Sequence, residues 1–206
     1  MEKLSAPFIG IDRHRLFTDG EGVTTLVAFY GCPLRCRYCI NPQSWSSSFE
    51  PEWLTPKQLY NRTRIDELYF LATGGGITFG GGEPCLYPEF ITQFRDIVGP
   101  GWKIYLETSL NVDPEKFRIV EPSVDRFIID IKDMNPDIYR SYTGHGNEHV
   151  LSNLHYLASL NRQSDCVVRL PLIRDYNTRE DITKSKEELA GLGFDKTDVF
   201  KYLVKE

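Results

Sequence analysis

The feature that most restricts the fold of this 206-residue chain is a regular alternation of short, apolar, β-branched runs with helix-patterned segments. Residues 24–32 (TTLVAFYGC), 76–81 (GITFGG), 102–109 (WKIYLETS), 125–132 (DRFIIDIK), 165–173 (DCVVRLPLI) and 198–206 (DVFKYLVKE) each read as a strand. The segment 54–73 between the first two reads as one helix. Thr55 is its cap, Pro56 stands at the first helical position, and Gln58 closes a capping box. Further helices are expected near residues 89–98, after Asp113, and over residues 148–161, where Val150, Leu151, Leu154, Leu157 and Ala158 share a face. Thr178 and Asp181 form a second capping-box pattern ahead of a polar helix. Parallel strands need long crossovers, so this alternation predicts a parallel α/β sheet, open or closed into a barrel. No internal repeat, low-complexity tract or linker interrupts it, which predicts one domain over residues 1–206.

Ligands of parallel α/β sheets collect at the carboxyl ends of the strands. The unusual residues of this sequence recur there. A cysteine cluster follows the first strand, GGGEP follows the second, ETS ends the third, DIK ends the fourth, and Arg169 lies late in the fifth. Such residues also serve ordinary turns. Their shared edge favours one ligand site. Arg169 is charged within an apolar strand and needs a partner or a ligand.

Composition narrows the class of ligand. The formal net charge of −5 offers no basic field for a nucleic-acid backbone. The N-terminal stretch MEKLSAPFIGIDRHRLF carries charges where a signal peptide needs an apolar run, and no segment is long and apolar enough to span a bilayer. A cytoplasmic location is the expectation, and the sequon at Asn61 then carries no meaning.

Three of the five cysteines, Cys32, Cys36 and Cys39, fall within eight residues in the stretch GCPLRCRYCINP. In a reducing compartment such a cluster binds metal or does redox chemistry more often than it forms disulfides. Thiolates select zinc, copper(I) or iron–sulfur clusters. A structural zinc asks for a fourth ligand, and no cysteine or histidine follows at finger-like spacing; His145, His149 and His155 lie far along the chain. An iron–sulfur cubane with three cysteines leaves one iron open, and an open position is where a substrate or cofactor binds. Cys85 and Cys166 read as small core hydrophobes.

The spacing Cys-x₃-Cys-x₂-Cys, with Tyr38 before the last cysteine, resembles the cluster motif of the radical S-adenosylmethionine superfamily. With DGEG at residues 19–22, GGGITFGGGEP at 74–84 and IDIKDMN at 129–135, the sequence resembles the glycyl-radical-enzyme activating branch of that superfamily. The resemblance runs in order from about Gly10 to Arg169 and implies a partial (β/α)6 TIM-type barrel, open at one side. It implies one [4Fe–4S] cluster on Cys32, Cys36 and Cys39, with S-adenosylmethionine on the fourth iron. Tyr38 and Ile40 would touch the adenine, and Gly81, Gly82 and Glu83 would meet the methionine amine. Lys132, in the Asp130–Ile131–Lys132 stretch, would balance the ligand carboxylate or ribose, and Arg169 joins this cofactor-binding set. Glu107 and Thr108, with Asp130, stand where a monovalent cation is held. The implied partners are a glycyl-radical enzyme as protein substrate and a flavodoxin- or ferredoxin-type electron donor, with no nucleic acid, no membrane and a monomeric state.

The sequence departs from the family pattern at several points. Ile40 replaces a histidine, Glu21 a proline, and Thr108–Ser109–Leu110 the usual TNG. It also stops at Glu206, before the family's later segment with a histidine that contacts the cofactor. It therefore reads as a compact activase or a radical enzyme of different purpose. An anaerobic ribonucleotide reductase activase or a radical enzyme acting on a peptide or small molecule is the alternative within the superfamily, and a zinc-stabilised interaction module the alternative outside it.

Overall fold

The computed structural model describes residues 4–16 and 18–202. The six strands expected from the sequence are present as β2 (Val23–Phe29), β4 (Gly76–Gly81), β5 (Lys103–Thr108), β6 (Arg126–Asp130), β7 (Cys166–Leu172) and β8 (Thr197–Lys201). The expected continuation of β8 through residues 203–206 lies outside the described residues. Two further strands, β1 (Ala6–Leu16) and β3 (Glu52–Leu54), were not expected. The RHR run and the register shifts in β1 conceal its alternation. The helices are α1 (Pro56–Thr63), α2 (Glu67–Thr73), α3 (Pro88–Val98), α4 (Pro114–Val120), α5 (Pro136–Thr143), α6 (Glu148–Ser159) and α7 (Arg179–Gly191). Among the described residues no helix is long and apolar enough to cross a membrane.

The chain forms two compact units. The first comprises the described residues up to Cys32 together with Asn41–Thr108 and Glu115–Phe127. Its strands lie in the order β3-β1-β2-β4-β5. β1 is antiparallel to both β2 and β3, whereas β2, β4 and β5 run parallel through the crossovers α1–α2 and α3. Its core is aromatic: Phe29 packs on Phe8, Phe79 and Phe90 at centroid separations of 4.6, 5.5 and 5.8 Å, and Phe94 meets Phe79 at 5.4 Å. The second unit comprises Pro33–Ile40, Ser109–Pro114 and the described chain from Ile128 onward. In it β7 lies between β6 and β8, paired parallel to β8. Helices α5 and α6 connect β6 to β7, and α7 connects β7 to β8.

Both predicted capping boxes form. The Gln58 amide donates to Thr55 Oγ1 while the Thr55 amide donates to Gln58 Oε1, and Thr178 and Asp181 exchange the same pair of bonds. The single helix expected over residues 54–73 is instead two, parted by a 3₁₀ turn at Arg64–Asp66. The cause is Asp66. Its carboxylate is fully buried and accepts hydrogen bonds from the Arg13 guanidinium, from Thr25 Oγ1 at 2.9 Å and, at 3.0 Å, from a His14 ring nitrogen carrying its proton. Drawing this polar residue inward leaves Ile65, Leu68 and Leu71 exposed. On α6 the buried residues are Val150, Asn153, Leu154 and Leu157, while Leu151 and Ala158 are half-buried; the buried Asn153 has a polar role described below.

Burial alone would push the Asp66 carboxyl up, but the hydrogen bonds from Arg13 and Thr25 outweigh it and hold the group below the usual carboxylate range. A depressed folded-state value stabilises at pH above the unfolded carboxylate range, and that contribution is lost as pH falls through the folded value. Asp66→Ala is expected to lower unfolding free energy by roughly 1.5–3 kcal/mol at neutral pH, the range for hydrogen bonds to a charged group. The difference from the parent protein should shrink on acidification, as measured by urea unfolding across pH 3–7.

Candidate active site

The expected site residues divide between the two units. In the first unit, the end of β4 is bound to the chain entering the cysteine loop by two backbone hydrogen bonds. The Gly82 amide donates to the Phe29 carbonyl at 2.9 Å, and the Glu83 amide donates to the Gly31 carbonyl at 2.8 Å. This contact explains the glycines. A Cβ on Gly81 would lie 2.6 Å from the Ala28 Cβ, and one on Gly82 would lie 2.2 Å from the Gly31 carbonyl oxygen. Asn41, not expected as a site residue, donates its side-chain amide to the Gly81 carbonyl at 3.1 Å.

Glu83 is 1% exposed. Its Oε1 accepts from Thr108 Oγ1 at 2.7 Å and from the Cys85 amide at 3.2 Å, so two donors orient the carboxylate before any ligand arrives. Thr108 thus positions Glu83. Glu107, the preceding residue on β5, leans over Gly80, where a Cβ would lie 2.8 Å from Glu107 Oε2. Cys85 is fully buried beside Thr108, with Sγ–Oγ1 at 3.6 Å, as a core residue should be.

The DGEG loop has a different role. It precedes β2, at the end of that strand opposite the cysteines. A Cβ on Gly20 would lie 2.8 Å from the Tyr105 ring, and the Tyr105 hydroxyl donates to the Glu21 carbonyl at 3.2 Å. The buried Asp19 is paired with Arg15. These contacts make the loop a packing element.

In the second unit, Cys36 and Cys39 sit on a turn closed by the Cys39 amide donating to the Cys36 carbonyl at 3.2 Å. Arg35 and Arg37, on either side of Cys36, donate their amides to the carbonyls of Thr143 and Tyr142 at 2.9 and 3.1 Å. The C-terminal turn of α5, a helix absent from the sequence reading, therefore anchors the loop. The Tyr38 ring lies 6.2 Å from that of Tyr142 and 5.8 Å from that of Tyr176, and its hydroxyl donates to Asp175 Oδ2 at 3.4 Å. Ile40 is exposed. Ile131 is fully buried, and its amide donates to the Arg169 carbonyl at 3.1 Å.

Asp130 receives Lys132 Nζ at 3.1 Å and Arg169 Nε at 2.8 Å. The expected need of Arg169 for a partner is met by this carboxylate. Two cations already neutralise Asp130, so nothing in its surroundings calls for a monovalent cation, and that expectation is not carried further. Burial opposes the Lys132 ammonium, and the charge of Asp130 reverses the effect and holds its proton more tightly than water does. Burial pushes the Cys36 thiol up, while Lys132 pulls it down.

Cys32, Cys36 and Cys39 are partly exposed, whereas Cys85 and Cys166 are buried. Among the described residues no three Cys, His, Asp or Glu side chains are already gathered as a metal-holding group. His145, His149 and His155 are exposed. The departure at Leu110 proves conservative in backbone: Leu110 has φ of +57°, the left-handed region that a glycine adopts without strain. Asn153 holds this bend by donating to the carbonyls of Leu110 and Val112 at 2.9 and 3.0 Å.

The family model described as "Radical SAM superfamily" matches residues 26–187. A pyruvate formate-lyase-activating enzyme of Clostridium pasteurianum is 35% identical over 129 residues, covering 62% of this chain and 53% of the relative. One from Staphylococcus epidermidis is 31% identical over 194 residues, covering 90% and 75%. The chain thus spans about half of the first relative's length and three quarters of the second's. Among solved structures, SuiB of Streptococcus suis matches with a TM-score of 0.64 at 12% identity, over 84% of this chain and 38% of that one. That likeness carries the fold class alone: a mainly parallel, open α/β sheet of the partial TIM-barrel type, as expected.

Because a Gly82 side chain would strike the Gly31 backbone, Gly82→Val is expected to lower the melting temperature sharply, rather than weaken only ligand binding. Ile40→Ala, at an exposed position, should leave it within a degree or two. Thermal unfolding followed by circular dichroism compares the two.

Proposed function

The chain belongs to the radical SAM superfamily, and on that footing we propose that it is an enzyme of the glycyl-radical activating type, installing a radical on a glycine of a partner protein. The observation that carries this reading is the set of three partly exposed thiols at Cys32, Cys36 and Cys39, the last two on a turn whose Arg35 and Arg37 amides bond to the end of α5. Their chemistry fits an iron–sulfur cubane with one open iron, and Cys85 and Cys166, both buried, stand apart from it. When bound, the cluster and S-adenosylmethionine supply a reductive cleavage to methionine and a 5′-deoxyadenosyl radical, the species that abstracts hydrogen.

The protein's own residues then bind, orient and shield. The carboxylate of Glu83, buried and oriented by Thr108, offers a fixed anion to the methionine ammonium at the end of β4. The carbonyls of the strand end, one of them held by Asn41, are further acceptors there. Lys132 keeps its proton beside Asp130 and, with Arg169, presents positive charge suited to the ligand carboxylate or ribose. Tyr38, steadied by two neighbouring rings, and exposed Ile40 provide apolar surface for the adenine. Glu107, at the end of β5, completes the set of cofactor contacts. A protein substrate suits an open sheet edge, because the partner's own loop covers the site and excludes water. The electron comes from a flavodoxin- or ferredoxin-type donor, and the activase acts as a monomer that meets its partner transiently.

Anaerobic reconstitution should load about four irons per chain. Cys36→Ala should abolish loading, and Cys85→Ala should keep it. Stoichiometric zinc with no capacity for iron would overturn the proposal. With dithionite the loaded protein should convert S-adenosylmethionine to 5′-deoxyadenosine and methionine. On addition of a pyruvate formate-lyase-type glycyl-radical enzyme, electron paramagnetic resonance should show a glycyl doublet dependent on Cys32. If a small molecule or short peptide consumes the radical instead, and no doublet forms, the activase assignment falls while the superfamily chemistry stands.

A further inference from the structure

A proline stands inside the sheet of the second unit. Pro171 is buried on β7, and β7 lies between β6 and β8. Proline has no amide to give a ladder, so central strands rarely contain one. The edge it faces follows from its neighbours, because the backbone groups of successive strand residues face opposite edges. The Arg169 carbonyl takes the Ile131 amide and so faces β6, whereas the Leu172 carbonyl takes the Tyr202 amide and so faces β8. Pro171, two residues from Arg169, therefore turns its missing donor toward β6, and the rung that residue 171 would give cannot form. Lys132 begins where that ladder ends. The side chain of Asn177, itself 8% exposed, takes the ladder's place. Its nitrogen donates to the carbonyls of Pro171 at 3.1 Å and Lys132 at 3.4 Å and to Asp133 Oδ2 at 3.1 Å, while its oxygen accepts the Ile173 amide at 2.7 Å. Asp133, 2% exposed, is held from its other side as well. Its Oδ1 accepts from the Asn135 amide at 2.9 Å and from Ser185 Oγ, on α7, at 3.3 Å.

We propose that Asn177 is a positioning residue for cofactor binding: by holding the Lys132 backbone against Pro171, it fixes the ammonium that meets the ligand carboxylate or ribose. The inference rests on the proposed role of Lys132. Its physical basis is the flexible four-carbon stem of lysine, which leaves the charge only as fixed as the two points between which the stem runs. One point is Asp130, the last residue of β6, which receives Lys132 Nζ at 3.1 Å. The other is the Lys132 backbone, which lies beyond the strand and is tied to β7 by Asn177. A group ordered before the ligand arrives loses less freedom on binding it, and the saving appears as affinity. Asn177 acts through Lys132 and touches no reacting atom.

Two readouts separate this role from a purely structural one. Hydrogen exchange in the cluster-free protein tests the clamp without any cofactor. Asn177→Ala should speed exchange in peptides covering residues 131–135 and leave those covering α6 unchanged. In the reconstituted protein the same variant should load the same iron, yet its affinity for S-adenosylmethionine, from equilibrium dialysis, should fall about tenfold. Lys132→Met should lower the affinity too, and in that background Asn177→Ala should cost nothing further, because the group it positions is gone. Additive losses overturn the proposal, since Asn177 would then support only the fold. Unchanged exchange, or unchanged affinity, in Asn177→Ala overturns it as well. Asn177→Ser, too short to span the two carbonyls, repeats the comparison where the alanine variant does not fold. A parent protein that loads iron but binds no cofactor ends the reading of Lys132 and this inference with it, an outcome seen before any variant is made.

Discussion

The close approach of two backbones, at the end of β4 and the entry to the cysteine loop, is the constraint from which the first unit's half of the site follows. Gly82 and Glu83 donate to Phe29 and Gly31 across a gap that admits no side chain. The loop that begins at Cys32 therefore leaves the sheet from a fixed point. The same contact sets Glu83 at the start of the short 3₁₀ turn Pro84–Leu86, where the Cys85 amide and the Thr108 hydroxyl take one of its oxygens. Glycine here serves packing first, and any benefit to a ligand is secondary to that requirement.

In the second unit the corresponding part is played by charge. Asp130, the last residue of β6, is shared by Lys132 just beyond that strand and by Arg169 in the middle of β7, so three charged groups satisfy one another. Such a set keeps its geometry with or without a ligand, which is what preorganisation requires. Around it a layer of polar side chains fixes the backbone. The Asn177 amide donates to the carbonyls of Pro171 and Lys132 and to Asp133 Oδ2, tying the end of β7 to the segment after β6. Asn153 does the same for the bend after β5.

What could be read from the sequence was whatever local chemistry dictates. Strand propensity, capping boxes and the crossover pattern located the six strands of the alternation and the helix starts, because each depends on residues a few positions apart. What escaped depends on partners far along the chain. Asp66 breaks a helix by reaching Arg13, His14 and Thr25, and no local signal announces those partners. Helix α5 escaped although Asn135 caps it and Pro136 opens it. Several residues of the family motif have local partners in the structure. Arg169 serves Asp130, Gly82 serves β2, and the DGEG loop serves Tyr105.

Leu110 shows where a motif's information resides. The bend it occupies suits glycine, yet here a leucine adopts it, fully buried, because an asparagine 43 positions later grips its carbonyl. The shape of that loop is thus encoded in α6 rather than in the loop. Once the distant clamp exists, the letters of the loop are free to drift while its path is kept. A search by local signature will pass over such a chain at this position, and a search for an inward-facing asparagine on the helix that follows will find it.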